Sequence, residues 1–148
     1  MHNRQTRKRL ATRQRISDVA SRLFIERGFD AVKIDEIAEA ADVSRMTVFN
    51  HFPRKEDMFF DLDGEGREDV VAAVMQRVPG SSPVEALRLF AHRAIAEKRP
   101  YVGFFEEGSD RFMATVQASE ALKARARAIR DELIDTLACA LALSLIHI

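Results

Sequence analysis

Between Ser44 and Lys55 the chain sets Arg45, Thr47 and Asn50 close together, beside an apolar pair, Val48 and Phe52, at i, i+4 spacing. Each of the three polar types has a partner on a base edge. Arginine can bond in parallel to guanine, asparagine can do the same to adenine, and the threonine methyl can meet the methyl of thymine. Helical spacing puts Val48 and Phe52 on one stripe with Val43 behind it, so that stripe anchors the segment while Arg45, Thr47 and Asn50 face outward. His51 and Lys55 fall where such a helix leaves the groove and suit phosphate contact. The pattern points to sequence reading in the major groove of DNA.

A reading helix needs a frame, and the surrounding residues supply one. Ile16, Val19, Ala20, Leu23 and Phe24 recur at the spacing of an amphipathic helix. The spacing predicts a first helix from about Arg7 to Arg27, stopped by Gly28. A second, short helix fits Asp35 to Ala41, with Ile34, Ile37, Ala38 and Ala41 on one stripe. A tight turn at Asp42-Val43 follows, because Asp tolerates the left-handed backbone region better than most residues. Ser44 is a natural N-cap for a third helix, Arg45 to Phe52, and Pro53 ends it. Two short helices joined by a tight turn and braced by a longer one make a helix-turn-helix.

Charge supports this reading through its distribution rather than its sum. The formal net charge of the 148 residues is +0, yet Arg4, Arg7, Lys8, Arg9, Arg13 and Arg15 precede the first acid, Asp18. Such an arm, with Arg7 taken as representative, is expected to touch the DNA backbone. The single cysteine, Cys139, excludes an internal disulfide and fits a reducing compartment. The most apolar run, Leu133 to Ile148, is too short and too interrupted to span a bilayer. These features predict a cytoplasmic protein without a membrane partner. There is no Gly-rich phosphate loop, no metal-ligand spacing and no nucleophile with a base near it in sequence, so neither an enzyme nor a cofactor is expected.

The stretch Phe-Ile-Glu-Arg-Gly-Phe-Asp-Ala from Phe24, then Ile-Asp-Glu-Ile-Ala-Glu-Ala-Ala-Asp-Val-Ser, then Thr-Val-Phe-Asn-His-Phe-Pro-Arg-Lys-Glu-Asp, resembles the N-terminal domain of TetR-family transcriptional regulators. The resemblance implies an all-α fold: a helix-turn-helix domain over residues 1–55, then a helical ligand-binding and dimerisation domain over residues 56–148. It implies a DNA-binding regulator, usually a repressor released by a small-molecule effector, acting as a homodimer on a palindromic double-stranded operator. By position, Arg45, Met46 and Thr47 fall where the family contacts bases, and Phe49 falls where it usually has a DNA-touching tyrosine. His51 and Lys55 fall at its phosphate contacts. Phe49 lacks the hydroxyl, Asp42 replaces the usual turn glycine, and Lys33, counted with the DNA-facing set, stands where the family often has a hydroxyl cap. A competing reading is an inactive fragment or helical interaction module that keeps the fold without operator binding.

Beyond Pro53 a fourth helix is predicted from Arg54 or Lys55 through Val78, weakened by Gly64 and Gly66. Residues 79–83 form a loop, and Ser82 caps a fifth helix that starts at Pro83 and ends at Pro100. A less regular stretch precedes a last helical region containing Leu122, Ile129, Leu133 and Leu137, with Ser119 as an internal cap. Phe60, Phe90, Tyr101, Phe104, Phe105, Phe112 and Met113 are the candidate lining of an effector pocket. His92, among apolar neighbours, is expected to pack rather than to bind. The end at Ile148, uncapped and uncharged, suggests a truncated reading frame whose dimerisation helices lie beyond it.

Overall fold

The computed structural model describes residues 2–61, 63–99 and 109–146. Eight helices follow in order: α1 His2–Arg27, α2 Ile34–Ala40, α3 Arg45–His51, α4 Glu56–Phe59, α5 Asp63–Met75, α6 Pro83–Ala96, α7 Ser109–Ala118 and α8 Glu120–Ile146. No strand occurs among the described residues. The fold is all-α, as the helical periodicities predict.

The chain divides into two compact units. The first comprises residues 1–61 and 110–124, the second residues 62–109 and 125–148. The first unit is therefore discontinuous. The reason is apolar. Met58 and Phe59 on α4 are buried, and Val116 and Leu122 join the same core as Ile16, Ala20, Phe24, Ile37, Val48 and Phe52. Phe59 stacks on Phe112 at a centroid separation of 4.4 Å. Phe60 meets Phe112 edge-on at 6.0 Å. Ser119, only 2% exposed, donates to Asp30 Oδ1 at 3.0 Å while its Oγ accepts the Leu122 N–H that opens α8.

Local chemistry sets the helix ends. Gly28 takes φ +85° and closes α1 with its N–H on the Phe24 carbonyl. Asp42 takes φ +52°, the left-handed conformation expected of the turn. Its N–H reaches Glu39 O and that of Val43 reaches Ala38 O, the paired bonds of a Schellman closure.

Three expectations need correction. The first helix starts near His2, several residues earlier, because nothing in the basic arm breaks it. The long fourth helix is two: α4 ends at Phe60, whose backbone leaves the helical region, and α5 ends at Met75. His92 is exposed rather than packed.

In the second unit α5 packs on α6. Ser82 caps α6 by accepting the Glu85 N–H, with Pro83 in its first turn, as the sequence predicts. Arg77 donates to the carbonyls of Val74, Ser81 and Ser144, satisfying the open end of α5. Glu132 accepts from Arg67 and Arg125. The Arg125 hydrogen bond is the first cause of its lowered pKa. No helix among the described residues is long and apolar enough to cross a membrane.

Candidate nucleic-acid interface

Ser44 stands in extended conformation ahead of α3, and its Oγ accepts the Thr47 N–H at 3.0 Å. That bond satisfies one of the first-turn donors that a helix of seven residues has little other means to satisfy. The Thr47 hydroxyl lies 2.8 Å from the same oxygen. Val48 and Phe52 are fully buried in the core with Ile16, Phe24 and Ile37, and α3 packs on α2. Arg45, Met46, Phe49 and Asn50 are exposed, Met46 at 68% and Phe49 at 38%. Two large apolar side chains so open on a short helix cost solvation unless a partner covers them.

The cations of the interface differ in their freedom. Arg45 Nη1 bonds both Asp35 oxygens, at 3.0 and 3.1 Å, and its guanidinium carbon lies 5.6 Å from the Phe49 ring centroid. Arg4, Arg7, Lys8, Arg9 and Arg15 line exposed parts of α1. Arg13, grouped with them by sequence, is engaged inside the unit instead. It bonds the His51 carbonyl and the Asp61 carboxylate and lies 4.1 Å above the Phe52 ring. Lys55 also turns inward: its Nζ donates to the Phe29 carbonyl and sits 4.2 Å from the Phe29 ring centroid. Burial, against the pull of Asp30, Glu56 and Glu36, lowers its pKa. The His51 pKa is also lowered, first by burial and then by the charges of Arg9 and Arg13. Lys33 precedes α2 without a side-chain cap, and the Glu36 carboxylate accepts its backbone N–H.

A sequence model of the family described as bacterial regulatory proteins, tetR family, matches residues 16–62. This part of the chain is a tetR-family domain. The match runs from the core of α1 to the end of α4, the span that the buried contacts of Ile16, Val48, Phe52 and Met58 hold together. Among curated relatives, the chain is 45% identical to the HTH-type transcriptional regulator AcrR of Shigella flexneri over 51 residues, 34% of this chain and 24% of that protein. Against the HTH-type transcriptional regulator TcmR of Streptomyces glaucescens it is 32% identical over 81 residues, 55% of this chain and 36% of that one. Against the HTH-type transcriptional repressor KstR2 of Rhodococcus jostii it is 30% identical over 103 residues, 64% of this chain and 48% of that one. The chain thus spans between a quarter and a half of the length of these relatives.

Of the residues predicted for an effector pocket, the described ones fall in both units, Phe60, Phe112 and Met113 in the first and Phe90 in the second. Phe60 and Phe112 belong to the aromatic cluster of the first unit, and Met113 is exposed. Tyr101, Phe104 and Phe105 lie outside the described residues. Phe90 lines a cleft of about 470 Å³ in the second unit, with Ala72, Ala73, Arg77, Leu89 and Arg93. The sequence did not reveal the pairing of Asp35 with Arg45 or of Arg13 with Asp61. Their signal was faint, since each pairs with a residue at least ten positions away.

Proposed function

We propose that the chain is a transcriptional repressor that sets α3 into the major groove of its operator. One observation carries the reading: a capped helix, anchored by buried Val48 and Phe52, leaves Arg45, Met46, Phe49 and Asn50 exposed on one short segment. Arg45 supplies a forked pair of donors for guanine, Asn50 a donor and an acceptor for adenine, and the Thr47 methyl serves thymine because its hydroxyl is shared with Ser44. The exposed arginines of α1, Arg7 included, and His51 meet phosphate. One α3 reads half a site, so the repressor acts as a homodimer on a palindrome with half-sites about one helical turn apart. Residues 1–55 then form the reading domain and residues 56–148 the regulatory one. The names of the relatives, which describe transcriptional regulators and repressors, support this role over an enzymatic one. We place the protein in the cytoplasm, where an operator is accessible. The cleft beside Phe90, within the usual size range for a small-molecule site, receives an effector that releases the DNA.

Selection from randomised duplexes, followed by gel shift with the enriched sequence, tests the reading. Enrichment of an inverted repeat is expected, with loss of preference on Arg45→Ala or Asn50→Ala. A binder that enriches no sequence sinks the proposal.

A further inference from the structure

We propose that Asp35 is a specificity-determining residue, which fixes the guanidinium of Arg45 for base reading without itself contacting a base. The inference rests on the DNA-reading role of α3 proposed above. The residues come from different helices: Asp35 stands in the first turn of α2 and Arg45 in the first turn of α3. The tight turn at Asp42 brings those two first turns within side-chain reach. Both Asp35 oxygens engage a single Arg45 nitrogen, Nη1. The Phe49 ring, 5.6 Å from the guanidinium carbon, provides a second hold on the same group.

This arrangement has a chemical consequence. A guanidinium carries its donors in a rigid planar fork. With Nη1 held by Asp35, the edge formed by Nε and Nη2 is left for the two acceptors of guanine, O6 and N7. An unheld arginine samples many rotamers and can satisfy a phosphate as readily as a base. Restraining it in the free protein removes alternatives that carry no sequence information. The fold has little need of the pair, because the two side chains are 60% and 64% exposed and such pairs add little to stability. A carboxylate beside DNA also weakens attraction to phosphate, an effect opposite to that of the exposed cations of α1. Phe49, which lacks the hydroxyl of the family's usual tyrosine, serves here as a platform for Arg45.

The test compares base-preference profiles of the full chain and its variants, measured by selection and by competition binding at fixed salt. Asp35→Asn should lower discrimination about five- to tenfold at the one base pair that Arg45→Ala flattens, and leave the other positions as they were. In the Arg45→Ala background, Asp35→Asn should change nothing further at that position. Asp35→Glu, which keeps the carboxylate, should recover part of the discrimination. Two results overturn the inference while leaving the proposed function intact. One is an Asp35→Asn profile equal to the wild type, or shifted uniformly in affinity at all positions. The other is a further change of profile when Arg45 is already alanine, which would mean that Asp35 acts on the DNA directly. A wild-type chain that prefers no sequence overturns the proposed function and this inference with it.

Discussion

Lys55 shows how a cation can be spent inside the first unit. Its ammonium closes the turn after α1 by holding the Phe29 carbonyl and lying over the Phe29 ring. Removing it leaves a half-buried carbonyl short of a donor and removes a cation–π contact. Lys55→Ala should therefore lower the unfolding free energy by about 1–2 kcal/mol, measured by urea denaturation. His51 carries a second prediction. Burial, followed by the charges of Arg9 and Arg13, depresses its folded pKa below the unfolded value of about 6.5. The folded chain then binds fewer protons than the unfolded one as the pH falls past that value. Stability should be fully present above about pH 6.5 and decline on acidification through the folded pKa. His51→Gln should flatten that part of the profile in denaturation measured from pH 7.5 to pH 5.

At the scale of elements, α7 and the start of α8 belong to the same core as the helix-turn-helix. Phe112 stacks on Phe59, and Ser119 both caps α8 and bonds Asp30 in the turn after α1. Replacing Phe112 with alanine should destabilise the first unit by about 2 kcal/mol, below the cost of a fully buried ring because Phe112 is half-buried. Differential scanning calorimetry of the full chain would register the loss as an earlier transition. Phe90→Ala, which removes a ring from the second unit, serves as the control whose effect should fall on the other transition. Much of this scale could be read in advance. Gly28, Asp42, Ser44, Ser82 and Ser119 each end or open a helix as their chemistry predicts, because capping involves residues three or four apart. The break between α4 and α5 could not, since the apolar stripe runs through it without a proline. Helical periodicity does not distinguish one long helix from two that share a face.

For the whole molecule, the balance of charge matters through its placement. The net charge is +0, but exposed Arg4, Arg7, Lys8, Arg9 and Arg15 share one helix with few acids near them. Binding to DNA should weaken steeply with salt, with the logarithm of affinity falling by roughly 0.9 per phosphate neutralised. Replacing Arg7 and Lys8 with alanine should reduce the slope of that plot by about two, with base preferences unchanged, as fluorescence anisotropy at several salt concentrations can verify. Arg13→Ala is the instructive contrast. Tied to Asp61 and the His51 carbonyl, it should cost stability and leave the slope almost untouched.

By itself, the sequence determined the helical class and the positions of most helix ends, and it singled out Ser44 to Lys55 as the proposed reading segment. These depend on residues a few positions apart, where spacing and capping chemistry act directly. It also carried the tetR-family likeness, since the matched span is one continuous stretch. Tertiary structure alone decided which charges are available and which are spent. Arg13, Lys55 and Arg45 look alike in sequence, yet one meets Asp61, one meets Phe29 and one meets Asp35. The partners of Arg13 and Lys55 stand 48 and 26 positions away, and that of Arg45 ten. Tertiary structure likewise drew residues 110–124 into the first unit, where Phe112 joins Phe60 in an aromatic cluster. Contacts of that separation follow from how buried faces dock, which no local pattern specifies.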